Sequence, residues 1–154
     1  MKRLSARAMI ITKDAQCILI HRKWRGREYF VTPGGGVEDS ESLEDALKRE
    51  VHEEVGIMVE VQEQLLDITK QVDDRESRQV LFVCKHLDGE IGTGTDASML
   101  NLNPSDFSEV VLVSYQTAQK INIVPIEVKE VILQQMKQGW GTWLPLYRKP
   151  IDNV

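Results

Sequence analysis

Residues 35–57 read GGVEDSESLEDALKREVHEEVGI, and the fold turns on the second half of this run, where Glu50, Glu53 and Glu54 recur at spacings of three and four. On a helix those spacings set side chains beside one another. The helix is well marked. Ser42 followed three residues later by Asp45 is a capping-box pattern, and Gly56 stands where a left-handed C-terminal residue is wanted. The spacing predicts a helix over about 42–55. At roughly 100° per residue, Leu43, Ala46, Leu47, Val51 and Val55 fill an arc of about 180°, with Asp45, Lys48, Arg49 and His52 opposite. Glu50 and Glu54 fall inside the apolar arc about 40° apart, and Glu53 lies just beyond its edge.

Acids ordinarily avoid such a place. Two carboxylates ~5 Å apart repel by about 3 kcal/mol at an effective dielectric near 20, and desolvation adds to this. They must be solvated, pair with arginines, take up a proton, or receive cations. Glu44 lies in the first turn, where water and the helix dipole accommodate it.

Upstream, TPGGG sets Gly34, Gly35 and Gly36 directly after a strand. Glycines there allow close backbone approach and leave carbonyls and amides free to face a ligand. The run lacks the Lys-Ser/Thr ending of a P-loop, so a carbonyl joining the carboxylates around a metal is the more natural reading. Oxygen donors select hard cations, Mg²⁺ or alternatively Mn²⁺ rather than zinc. Such ions bridge phosphate oxygens and offset the charge that develops when water attacks phosphorus, with one glutamate left to orient or deprotonate that water.

The rest of the chain is consistent with one globular domain: 154 residues, 42% hydrophobic and 28% charged. No apolar run approaches a membrane span, and Arg7 interrupts the start where a signal peptide would be greasy, so a cytoplasmic location without membrane partners is expected. A net charge of −5 argues against stable nucleic-acid binding, though a local arginine cluster could still receive phosphates. Cys17 and Cys84 sit inside apolar runs and read as buried thiols.

ARAMIIT and CILIHRK read as strands joined by a short hairpin, WRGREYFVTP as a basic turn and another strand, IMVEVQEQLLDIT as a strand, DDRES as a charged loop, and RQVLFVCKHL and FSEVVLVSY as strands. The segment at 88–106 is Gly-, Asn- and Asp-rich and reads as a long loop of the kind that shapes ligand sites. PIEVKEVILQQMKQG predicts a C-terminal helix over about 125–138, ending at Gly139. Strands before, between and after two helices favour an α/β arrangement with helices packed on a mixed sheet.

The stretch at 35–57 also resembles a complete Nudix box. That signature runs Gly, five residues, Glu, seven residues, Arg-Glu, an aliphatic, any residue, Glu-Glu, any residue, Gly, an aliphatic. Gly35, Glu41, Arg49, Glu50, Val51, Glu53, Glu54, Gly56 and Ile57 fill it without a gap. The resemblance implies a single Nudix hydrolase domain over 1–154 with a Nudix-type α/β/α sandwich. It implies Mg²⁺-dependent cleavage of a phosphoanhydride bond in a nucleoside diphosphate linked to another group, such as a nucleoside triphosphate, an oxidised nucleotide or an ADP-ribose-like molecule. Carried over by motif position, Glu50, Glu53 and Glu54 bind the metals with a carbonyl from Gly34, and Arg49 orients Glu41 or another box carboxylate. The base is left unassigned, with Glu53 slightly preferred: members differ in which glutamate serves, and some recruit a later acid, for which Glu90, Asp96 and Glu109 are the candidates. A nucleotide-sensing domain of the same fold without turnover is the alternative, although such domains normally carry a damaged box. The number of ions, the exact substrate and a homodimeric state are left open.

For the substrate, Arg22, Lys23, Arg25 and Arg27 surround the turn before the glycines and suit a phosphate clamp beside the Gly35 backbone, with Arg22 best placed at its strand end. Trp24, Tyr29 and Phe30 could stack on a base, as could Trp140 and Trp143, though aromatics at strand ends more often pack. His21, His52 and His86 form no cluster, and none is given a catalytic role.

Overall fold

CILI at 17–20 and VLFVC at 80–84 are apolar without alternation, the pattern of strands covered on both faces. In the computed structural model, which describes residues 2–96 and 105–138, both runs lie between two helical layers. The strands are β1 (Lys2–Met9), β2 (Cys17–Trp24), β3 (Arg27–Val31), β4 (Gly34–Gly36), β5 (Met58–Val72), β6 (Arg75–Asp88) and β7 (Phe107–Val113). The helices are α1 (Leu43–Val55), α2 (Tyr115–Ala118) and α3 (Ile126–Gln138).

The strands form two sheets. One is four-stranded and mixed in the order β4-β1-β6-β5, with β1 parallel to β6 and the other pairs antiparallel. The other is three-stranded and antiparallel, β3-β2-β7. Alternate residues of β1 and β2 feed different cores. Ala6, Ala8, Ile10, Ile18 and Ile20 pack with Leu47, Val51 and Val55 of α1. Met9, Ile11, Cys17 and Leu19 pack with Ala118 of α2 and with Val128 and Ile132 of α3. The result is the three-layer α/β/α sandwich that the motif resemblance implied, of which patterning alone predicted helices packed on a mixed sheet. Both cysteines are buried and form no disulfide, and burial pushes the Cys17 thiol up to about 12.

Local chemistry explains where the sequence reading needs refinement. β1 and β2 are joined at the hairpin by the Ile11–Cys17 bridge and the Ile18 N–H to Ile10 carbonyl bond, but beyond it they part into different sheets. DDRES is not a loop: Asp73, with φ of 58°, and Asp74 make a two-residue turn, and Glu76 and Ser77 already pair with β1. The three glycines do not simply end a strand but form β4 against β1. FSEVVLVSY stops being strand at Val113 because the Ser114 hydroxyl accepts the Thr117 N–H and starts α2, a helix the sequence reading lacks. Gly139, Trp140, Trp143 and residues 97–104 of the long loop lie outside the described residues. Among the described residues no helix is long and apolar enough to cross a membrane.

Candidate active site

The acidic helix begins at Ser42, whose hydroxyl accepts the Asp45 N–H at 3.0 Å, and ends at Gly56, whose φ of 87° lets its N–H close on the His52 carbonyl. Two more carbonyls at this end are satisfied by the loop after β6. Gly92 N–H donates to Val55 O and Asp96 N–H to Glu53 O, both at 2.9 Å. The loop lies this close because Gly94 has no side chain: a Cβ there would overlap the carbonyl oxygens of Glu53 and Glu54. Docking the loop brings a third acid to the helix. Carboxylate oxygens of Glu50, Glu53 and Asp96 all lie within 4.8 Å of one another, a group that could hold a metal ion.

The four carboxylates expected at the box are treated differently. Glu41 forms a two-pronged bond with Arg49, Nε to Oε2 at 2.8 Å and Nη2 to Oε1 at 2.9 Å, and this guanidinium holds its carboxyl down at about 2. The same Arg49 donates from Nη1 to Glu50 Oε1 at 2.9 Å and from Nη2 to the Gly36 carbonyl, with Glu53 3.8 Å away. Arg49 thus ties the helix to the glycine strand and fixes Glu50. Glu50 rests where Gly35 lacks a side chain: a Cβ there would stand 2.7 Å from the Glu50 Cδ. Glu53 is the open member, with 42% of its side chain exposed against 17% for Glu50 and 4% for Glu54.

Glu54 turns inward. Its Oε1 accepts the Gly34 N–H at 2.8 Å and its Oε2 the Arg22 Nη2 at 3.1 Å. The Gly34 carbonyl, expected from motif position to face a metal, accepts Arg7 Nη1 at 3.2 Å, as does the Thr32 carbonyl at 3.1 Å. Sequence reasoning gave Arg7 no part in the site. The available signal was a charged residue between Ala6 and Ala8, both fully buried. Burial lowers the Arg7 guanidinium to about 10, which still leaves it charged at neutral pH.

Burial also pushes Glu54 up to about 7, against the Gly34 N–H and the charges of Arg7 and Arg22, which favour the carboxylate. Between the ordinary 4.5 and about 7 the folded chain therefore binds more protons than the unfolded one. Stability of chelator-treated protein should accordingly fall as pH rises through that window, by on the order of 3 kcal/mol for this group. Thermal unfolding of wild type and Glu54→Gln across the window isolates the effect, because only wild type should carry this component of the slope. Parallel profiles would reject the assignment.

Of the later acids, Asp96 joins the ridge, while Glu109 is bonded to His21 at 3.1 Å and Glu90 lends its backbone carbonyl to Thr93. Of the basic residues, Arg22 and Lys23 line a concavity of about 310 Å³ together with Trp24 and Tyr29. Arg27 is exposed and not among its lining residues, and Arg25 lies over the Trp24 ring. Phe30 stacks on His21 with ring centroids 4.4 Å apart, within the α3-side core.

Comparison with known proteins places this geometry among relatives. The NUDIX domain model matches residues 1–140. A curated relative, the ADP-ribose pyrophosphatase of Methanocaldococcus jannaschii, is 37% identical over 95 residues, which is 57% of this chain and 54% of that protein, so the match spans about half of the relative's length. Among solved structures, the E. coli ORF135 protein superposes with a TM-score of 0.66 at 23% identity, covering 87% of this chain and 90% of that one. The MutT protein from Methanosarcina mazei Go1 gives 0.67 at 18% identity, covering 89% and 94%.

Proposed function

The chain belongs to the Nudix family, and from that premise we propose that it is a Mg²⁺-dependent pyrophosphohydrolase. In this reading water attacks a phosphorus of a nucleoside diphosphate linked to another group and breaks the phosphoanhydride bond. The single observation that carries the reading is the convergence of Glu50, Glu53 and Asp96 within 4.8 Å. The donor set fits the ion: every donor is a carboxylate oxygen, the choice of Mg²⁺ or Mn²⁺ over zinc. When bound there, such an ion supplies stabilisation of phosphoryl oxygens and lowers the pKa of a bound water.

The protein's own residues divide the remaining work. Glu53, the most exposed of the three box glutamates, orients the attacking water and accepts its proton. Arg49 holds Glu50 and Glu41 in place, so it is a positioning residue. Glu54 and the Gly34 carbonyl already accept bonds from Arg22 and Arg7, so a cation held there would share their oxygens with those guanidinium groups. Arg22 and Lys23 meet the substrate's phosphate charge. Buried cysteines that form no disulfide suit a reducing compartment, and a single-domain cytoplasmic enzyme is part of the proposal.

The relative named for ADP-ribose makes that molecule the first substrate to test. Hydrolysis of ADP-ribose consumes one water and yields AMP and ribose 5-phosphate. A panel of ADP-ribose, nucleoside triphosphates and dinucleoside polyphosphates, incubated with Mg²⁺ and with Mn²⁺ and read by product mass, should give turnover of at least one compound. Background rates throughout, with thermal stabilisation by a nucleotide, would replace this reading with a sensing domain.

A further inference from the structure

The concavity beside the ridge is not explained by phosphate chemistry alone. It lies at the ends of β2, β3 and β7, where Trp24, Tyr29 and Phe107 meet Arg22, Lys23 and Asp106. Its volume of about 310 Å³ is at the lower end of the range for small-molecule sites. Trp24 is 53% exposed, a large apolar side chain left open to water at a hairpin tip. Arg25 and Gly26 make that tip with φ values of 50° and 78°, the geometry of a tight two-residue hairpin turn. The Arg25 guanidinium lies 5.3 Å from the Trp24 ring centroid, and the Arg25 N–H donates to Asp106 Oδ1 at 2.9 Å. The turn therefore fixes the indole and the carboxylate relative to each other.

We propose that this concavity is a subsite for the base of a nucleotide, stacking the ring on Trp24 and Tyr29 and directing an N–H edge at Asp106. Three features favour a base over a sugar or a bare polyphosphate. Aromatic walls offer stacking to a flat ring. A carboxylate within those walls accepts ring or exocyclic N–H donors and repels phosphate, so the phosphates are sent elsewhere. Arg22 supplies the direction: it lines the concavity and also bonds Glu54, one turn of helix from Glu50. In the Arg22↔Tyr29 and Arg22↔Ser108 register these residues share one face of the sheet, the face that continues Ile18 and Ile20 toward α1. A nucleotide with its ring over Trp24 thus places its phosphates against Arg22 and the ridge. The proposal rests on the hydrolase reading for the ridge, but the subsite can be tested without turnover.

The test is calorimetric binding of AMP and of ribose 5-phosphate, its base-free counterpart, to the full chain in chelator. Wild type should bind AMP at least tenfold more tightly than ribose 5-phosphate. Trp24→Ala should remove most of that difference, with stacking accounting for about a tenfold loss of AMP affinity, while ribose 5-phosphate binding stays within about twofold. Tyr29→Ala serves as the second variant should Trp24→Ala fold poorly. Equal affinities for the two ligands in wild type, or unchanged AMP affinity in both variants, overturn the subsite. Turnover of nucleotides with an unaltered KM in Trp24→Ala overturns it too and leaves the hydrolase reading standing. Trp24-dependent AMP binding in a chain that hydrolyses nothing upholds the subsite and sinks the hydrolase.

Discussion

Glu50→Gln should lower kcat by on the order of 10²-fold or more, and Glu53→Gln by at least as much. Each substitution keeps the shape of the side chain and removes the negative charge, so the change isolates electrostatics from packing. The two variants differ in what else they disturb. Glu50 Oε1 accepts from Arg49 at 2.9 Å, so its amide counterpart also loosens the Arg49 anchor, whereas Glu53 is linked to Arg49 only at 3.8 Å. Glu50→Gln should therefore lower thermal stability slightly and Glu53→Gln hardly at all. Titration of Mn²⁺ followed by its paramagnetic signal supplies a readout independent of turnover, and both variants should bind the ion more weakly than wild type. Asp96→Asn should weaken the ion in the same assay if the loop acid is part of the group. Near-normal kcat in Glu50→Gln and Glu53→Gln, with undiminished Mn²⁺ binding, would remove the ridge from the chemistry.

How much of this was written in the sequence differs from element to element. The helix and both its caps were legible, because Ser42, Gly56 and a 3.6-residue apolar period are local signals. So was the double-sided burial of CILI and VLFVC. Partition into two sheets was not, since the hairpin at 11–17 looks the same whether its strands stay together or part. The orientation of Glu54 was also hidden. Periodicity places Glu54 on the apolar arc, but whether it meets a metal or an arginine depends on Arg22 and the Gly34 N–H, which are 32 and 20 residues away. Asp96 illustrates the same limit. In sequence it is one acid among several in a polar loop, and docking of that loop on the helix end, where the Asp96 N–H donates to the Glu53 carbonyl past Gly94, brings it to Glu50 and Glu53.

Gly34→Ala should destabilise the protein by about 3 kcal/mol or more, while Gly36→Ala, two residues on, should change stability by less than about 1 kcal/mol. Both glycines belong to β4, so strand propensity does not separate them. Surroundings do. A Cβ on Gly34 would run into the Ala6 carbonyl oxygen and come within 2.8 Å of the Arg7 Cα, whereas one on Gly36 would meet nothing within 4 Å. The obstacle at Gly34 is backbone of β1, which is held in place by its parallel ladder to β6 and has no rotamer to escape into. Gly34 also has a φ of 141°, a conformation that side-chain-bearing residues rarely adopt, which adds strain to the clash. For a domain of this size the loss corresponds to a fall in Tm of roughly 6–12 °C. Any adjustment that relieves the overlap must shift the Gly34 N–H away from Glu54 Oε1, so activity should fall along with stability. Matching unfolding temperatures for the two variants would show that β4 does not press on β1 here, and the seat described for Glu54 would lose its support.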